Sequence, residues 1–171
     1  MVQIRSIVTD EMRKALRIGE ELGSYTYEVG RSWIRRFASA LGDPNPVWTD
    51  EESAKKQGPF EALIAPPTFY IVMDPVETKE VNLQGFLDHI PYRRTILANA
   101  FNEVEYFQPM KAGDVITVTT TYTEIIEKDG RSGRLVFPVR ENVYRNQRGE
   151  LVAKSRCSHV AGYDLSQNKE S

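Results

Sequence analysis

A chain of 171 residues, 40% hydrophobic and 27% charged, is long enough to bury a core without disulfide or metal staples. Its 22 Lys and Arg against 24 Asp and Glu give a formal charge of −2, without the basic excess of a general nucleic-acid binder. The composition is neither disordered nor fibrous, and the longest apolar stretch, 62–73, is too short and too broken by Pro66 and Pro67 to span a bilayer.

In chain order, residues 9–22 place good helix formers between a Thr9/Asp10 N-cap candidate and a stop at Gly23, and predict a first helix. Tyr25 and Tyr27 alternate with other residues over 24–29, which suits a short strand. Trp33, Ile34, Phe37, Ala38 and Leu41 recur at three- and four-residue intervals and predict a second helix, ended by Gly42. Asp43-Pro44-Asn45-Pro46 is a dense turn signal, and Asp50 caps a short polar helix over 51–56. Segment 62–73 reads as a buried helix, apolar all round, opening near Pro67, since proline is tolerated in a first turn. A long loop covers 75–95. Residues 95–106, 114–127, 134–144 and 150–163 are rich in Val, Ile, Thr, Tyr and Phe and are separated by turn clusters. They predict four long strands in a mostly antiparallel sheet, one face of which the apolar helix at 67–74 covers. The reading is one α+β domain over 1–171, with a helical extension at 1–23 and a polar, frayed tail at 165–171. An open edge of long β-rich strands is a liability that a second subunit would resolve, so an oligomer is expected.

Cys157 is the single cysteine and cannot form an intrachain disulfide. Asp10, Glu11, Glu20 and Glu21 crowd the place of a secretory apolar core, so a cytoplasmic location is expected. There is no Gly-rich phosphate loop, Cys-x-x-Cys, Gly-x-Ser-x-Gly or His-Glu-x-x-His, and no metal or cofactor is expected. His89 reads as a solvated or capping loop residue and His159 as a half-buried strand residue, neither within a ligand set of metal-site spacing. Cys157 reads as a small hydrophobe and not as a nucleophile. Arg140, Arg145 and Arg148 read as a solvated strand face. Asp43 alone fits a turn cap whose carboxylate bonds nearby backbone N–H groups.

The string Phe37-Ala38-Ser39-Ala40-Leu41-Gly42-Asp43-Pro44-Asn45-Pro46-Val47 also resembles a specific signature, that of the MaoC-like R-specific enoyl-thioester hydratases and dehydratases. There a helix ends in Gly-Asp-x-Asn-Pro-hydrophobic-His, and an apolar helix starts further along. Ile64-Ala65-Pro66-Pro67-Thr68-Phe69 falls where that family begins its central helix. Residues 107–114 resemble the strand–Pro–Gly-Asp–strand turn of hotdog-fold proteins. The resemblance covers residues 24–160. It implies a hotdog fold, an antiparallel sheet wrapped around a central hydrophobic helix.

Two departures accompany the match. In catalytic members the Asp and His together hold and activate the water that adds across the double bond; here Asp43, Asn45 and Pro46 are kept, but the His position is Trp48, which cannot accept a proton. Catalytic members also read Ala/Val-His-Gly-Met at the central helix, where the Gly N–H polarises the thioester carbonyl. The aligned residue here is Pro67, which has no N–H, leaving the Thr68 N–H as substitute if the thioester sits deeper. The resemblance therefore points to the catalytically degenerate N-terminal half of tandem or two-subunit dehydratases, in which one hotdog supplies the acyl pocket and its partner the Asp–His pair. It implies a substrate on coenzyme A or acyl carrier protein, and a homodimer or a heterodimer with a second hotdog subunit. Asp43 and Asn45 would order the substrate, and Trp48, Pro66, Pro67, Thr68, Phe69 and Tyr70 would line the acyl tunnel. The loop 75–95 would be a lid, and Lys55, Lys56, Arg93 and Arg94 phosphate contacts. Two alternatives stay open: a non-enzymatic acyl-thioester-binding module, and a thioesterase using Asp43 as a lone carboxylate.

Overall fold

The structure, a computed structural model, describes residues 6–57, 62–75 and 83–168. Helix α1 (Asp10–Ala15) opens on Thr9, whose hydroxyl accepts from the Met12 N–H, as the sequence suggests. It is much shorter than the helix expected over 9–22. Arg17 takes a left-handed backbone, the chain reverses, and strand β1 (Glu21–Glu28) begins before Gly23. Gly23 lies inside β1, where the register with its neighbour shifts, instead of stopping a helix. Leu16 and Leu22 are both fully buried, so tertiary pairing overrides the local helix preference.

Helix α2 (Arg31–Leu41) buries Ile34 and Ala38 and ends at Gly42 with φ +67, the left-handed cap that glycine supplies cheaply. Its apolar stripe is narrower than the sequence suggests, because Trp33 (60% exposed) and Leu41 face outward. A single 3₁₀ turn (Pro46–Trp48) leads to α3 (Glu51–Gln57), where the Asp50 carboxylate caps the Ser53 N–H.

A second 3₁₀ segment, Pro67–Met73, replaces the expected all-round buried helix. Its three-residue period stacks Tyr70 on Met73 inward and Thr68 on Ile71 outward. Ile71 is 52% exposed and Val72 45%, which corrects the expectation of complete burial. Of the proposed lid over 75–95, residues 76–82 lie outside the described residues. The remainder is α4 (Leu83–Asp88) and the start of β2, and it buries Phe86, Leu87 and Ile90 as a packed element.

Strands β2 (Tyr92–Tyr106), β3 (Val115–Gly130), β4 (Gly133–Arg145) and β5 (Leu151–Asn168) match the four expected runs and extend them. The end of β5 pairs with β2 through Asn168, so the tail is strand well past Leu165. The sheet order is β1-β3-β4-β5-β2, antiparallel throughout. The β3–β4 hairpin turns through Arg131 and Ser132 into Gly133 (φ +147), where a Cβ would sit 1.9 Å from the Tyr163 carbonyl oxygen. Only glycine lets β4 start there. Among the described residues no helix is long and apolar enough to cross a membrane.

The inner face carries two apolar clusters. One gathers Ile34, Leu63, Phe69, Tyr70, Met73, Val118 and Tyr144; the other gathers Leu16, Leu22, Phe86, Leu87, Tyr122, Val136 and Tyr163. Polar side chains lie between them along the strands. Thr120, Asn142 and Ser155 stand opposite one another on β3, β4 and β5, and Tyr122, Arg140 and Cys157 occupy a neighbouring row. Arg140 is 5% exposed, which corrects its assignment to a solvated face; Arg145 and Arg148 are exposed as expected. Its guanidinium donates to Asp74 and to the Pro75 carbonyl, both at 2.8 Å, and to the Cys157 sulfur at 3.1 Å. Asn142 donates to the other Asp74 oxygen at 2.9 Å.

Breaking one partner of such a buried pair leaves an uncompensated charge. Arg140→Leu is expected to lower unfolding free energy by about 3–5 kcal/mol in urea denaturation, with Asp74→Leu in addition recovering part of the loss. A change within about 0.5 kcal/mol, the range of ordinary surface substitutions, would refute the importance of the pair.

Candidate functional site

The turn after α2 is built by its own side chains. The Asn45 side-chain oxygen accepts from the Val47 N–H at 3.1 Å and caps the 3₁₀ turn. One Asp43 oxygen accepts from the Asn45 N–H at 3.0 Å, and the other accepts from the Trp48 indole Nε1–H at 2.8 Å. Each oxygen thus has a donor within five residues. Trp48 is half-buried and packs against the first apolar cluster.

Trp48 also walls a cavity of about 320 Å³. Ile64, Ala65, Pro66 and Pro67 continue its side of the cavity; Tyr106, Phe107, Gln108, Pro109, Met110 and Val152 complete the lining. The walls are tied by backbone hydrogen bonds, Ala65 N–H to Met110 and Ala112 N–H to Leu63, both at 2.8 Å, and Phe107 N–H to Val152 at 2.9 Å. The polar groups of the lining are the indole N–H, the Tyr106 hydroxyl and the side-chain amide of Gln108, which donates to the Leu151 carbonyl at 3.0 Å. The cavity is therefore an apolar slot, suited to a hydrocarbon chain more than to a charged group.

The structure brings Trp48, Pro66 and Pro67 to this slot; Asp43 and Asn45 do not line it. Phe69 and Tyr70 are core residues, Phe69 edge-on to Phe37 and Tyr70 edge-on to Tyr144, while Thr68 is exposed. Lys55, Lys56, Arg93 and Arg94 line none of it; Lys55 lies 3.8 Å from Glu52, Arg93 3.7 Å from Asp164 and Arg94 3.4 Å from Asp88. In the sequence the wall from Tyr106 to Met110 shows only as the Pro109 and Gly113-Asp114 turn, with no sign of a site. Gly113 there has φ +92, and Asp114 accepts from the Lys111 N–H at 2.8 Å.

The open antiparallel sheet, the short central segment and the slot beneath Trp48 define a MaoC-like hotdog protein of the α+β class. The sequence pattern of the FAS1-like dehydratase domain region matches residues 17–155, and the chain belongs to that family. A UPF0336 protein of Streptomyces avermitilis is 38% identical over 135 residues, covering 79% of this chain and 85% of that protein. Among solved structures, the C-terminally truncated HadBC (3R-hydroxyacyl-ACP dehydratase) complex of Mycobacterium tuberculosis has a chain 27% identical, with a TM-score of 0.60 over 81% of this chain and 90% of that one. A chain of the ChsH1–ChsH2 complex of the same organism shares the fold at a TM-score of 0.76 and 18% identity, over 96% of this chain and 93% of that one.

A smaller cavity of about 170 Å³ lies beside the polar row, lined among others by Asp74, Asn99, Asn102, Arg140, Cys157 and His159. The fold thus places Arg140 against Cys157 and Asp74 near His159, neighbours that the linear sequence hides. Burial raises the Cys157 thiol pKa, and the Arg140 charge offsets part of that rise. Burial lowers the His159 pKa; Arg140 lowers it further and Asp74 opposes both. Between the lowered value and the ordinary one near 6.5, the unfolded chain binds more protons than the folded one. Stability is therefore expected to fall as pH drops through this window. Urea midpoints at pH 7.5 and 5.5 should differ more for the wild type than for His159→Gln, and equal differences would remove His159 as a source.

Proposed function

We propose that this chain is the substrate-binding half of an (R)-specific hydratase/dehydratase acting on acyl thioesters of coenzyme A or acyl carrier protein, paired with a hotdog subunit that carries the catalytic base. The observation that carries this reading is the Asp43 carboxylate, held by the Asn45 N–H and the Trp48 indole N–H beside an apolar cavity. Hydration at the β-carbon needs a base to activate water and a dipole to polarise the thioester. Trp48 cannot serve as that base, and Pro67 at the head of the 3₁₀ segment has no N–H to offer. The slot can still hold an acyl chain.

The likeness to the HadBC complex supports a two-subunit assembly, and the ChsH1–ChsH2 complex supplies a second case of this fold in a complex of two named proteins. Among the described residues the outer edge of β2 is unpaired, with Ile96 and Leu97 exposed on the strand, which gives a second hotdog a strand to pair with. A thioesterase needs a carboxylate free to activate water, and Asp43 does not line the cavity. A non-enzymatic acyl-thioester binder shares the apolar slot, and activity with a partner separates it from the dehydratase half.

The isolated chain is expected to bind acyl thioesters but to hydrate enoyl-CoA barely above background, as followed by loss of enoyl-thioester absorbance. Acid–base assistance is typically worth roughly 10²–10⁴-fold and one oxyanion donor about 10²–10³-fold. Trp48→His alone should restore little, Trp48→His with Pro67→Gly more, and a partner subunit bearing an Asp–His pair most. Rapid turnover by the pure wild-type chain would overturn the half-site reading. The purified chain is further expected to self-associate or to join its partner through β2. A strictly monomeric particle by light scattering, with and without that partner, would contradict the pairing.

A further inference from the structure

We propose that Asp43 is a positioning residue whose carboxylate pins the Trp48 indole, and that the pinned ring sets which acyl chain lengths the cavity admits. This rests on the reading of the cavity as an acyl site. Asp43 does not line the cavity, so any influence it has on the contents passes through Trp48, which does. The tryptophan is fixed at both ends. Its backbone belongs to a single 3₁₀ turn capped by Asn45, with its N–H donating to the Asn45 carbonyl at 3.2 Å. Its far end donates to the carboxylate at 2.8 Å. A tryptophan side chain has two rotatable angles, and a charge-assisted hydrogen bond at the tip restrains both.

The rest of the lining is placed differently. Ala65 and Met110, and Phe107 and Val152, are joined backbone to backbone, so substituting their side chains leaves those bonds intact. The Trp48 ring adds to its packing on the core one hydrogen bond at its far end, and that bond is made by a side chain. Without that bond the ring can swing, and the space it bounds is no longer of fixed length. An apolar pocket distinguishes neighbouring chain lengths by roughly 10–200-fold per methylene, so a mobile wall is expected to cost selectivity more than affinity.

The competing account is that Asp43 caps a turn through Asn45 and has no bearing on what the cavity holds. The two are separated in a Trp33→Phe protein, where Trp48 is the only tryptophan left. Asp43→Ala, Trp48→Phe and their combination are compared. Trp48→Phe removes the indole donor while leaving the bond from the Asn45 N–H to Asp43 in place. Asp43→Asn, which retains one acceptor oxygen, serves if Asp43→Ala does not fold. Acrylamide quenching of Trp48 is read first. Dissociation constants follow for S-acyl pantetheines of graded chain length, the thioester arm common to both carriers.

Asp43→Ala should make Trp48 more readily quenched and should change the long-to-short affinity ratio about tenfold. In the Trp48→Phe background the same substitution should leave the ratio unchanged, since the coupling runs through the indole. Lowered thermal stability with unchanged quenching and an unchanged ratio would overturn the proposal. So would an equal shift of the ratio with Phe at 48. If the wild type binds no acyl pantetheine of any length, the acyl-site reading fails and the selectivity claim with it, while the quenching result still decides whether Asp43 holds the ring.

Discussion

The pair Arg140–Asp74 joins the middle of the sheet to the end of the segment that lies against it. Moving a charge out of water costs several kcal/mol unless its donors and acceptors are met inside the protein. Here the guanidinium reaches Asp74, the Pro75 carbonyl and the Cys157 sulfur, and the second Asp74 oxygen takes the Asn142 amide. Asn142 in turn accepts from Thr120 at 2.7 Å and donates to Ser155 at 3.2 Å. Three strands and the 3₁₀ segment thus meet in one polar band between two apolar clusters. A slip of one residue in β4 would send Arg140 and Asn142 to the opposite face and strand Asp74 without partners. The band therefore specifies register as well as contributing contacts, and it fixes where the 3₁₀ segment ends.

The other end of that segment borders the apolar slot. With Asp74 anchored, Pro67 opens the segment at the wall of the apolar slot, and Tyr70 is held between Tyr106 and Tyr144. The three-residue period leaves Thr68 and Ile71 on the outside, and Val72 is exposed beside them. A catalytic residue at this end would need a free lone pair or a free N–H. The sequence puts proline at the first helical position and tryptophan after Asn45-Pro46-Val47, and both choices remove such groups. The geometry that results suits holding a chain better than activating water.

Much of this was legible beforehand, for identifiable reasons. The four long strands announced themselves because β-branched and aromatic residues fill them and glycine-rich turns divide them. Helix α2 and its Gly42 cap follow from an apolar stripe and a left-handed stop. The turn at Asp43 and Asn45 could be read from local chemistry, since its partners lie within five residues. What stayed hidden depends on distant partners. Arg140 looks solvated until β4 is given a period of two, when Arg134, Val136, Pro138, Arg140, Asn142 and Tyr144 fall on one buried face. The early end of α1 answers to β3, whose Thr121 pairs with Glu21. The cavity wall from Tyr106 to Met110 becomes a wall only once 62–65 folds against 110–112.

The two edges of the sheet are not equivalent. β1 is short, which discourages pairing, whereas β2 is long and exposes Ile96 and Leu97. Gly162 on β5 lets β2 pack close, since a Cβ there would meet the Ile96 side chain at 2.6 Å. β2 also ends at Tyr106, and Tyr106 and Phe107 line the slot while remaining nearly half exposed. The strand that offers the open edge is thus the strand that runs into the cavity wall. Under the proposed function, a subunit paired along β2 would stand next to the bound thioester, near enough to supply the base that Trp48 replaces. An incomplete site on an open edge then needs no second explanation, because one contact would both cover the edge and complete the chemistry.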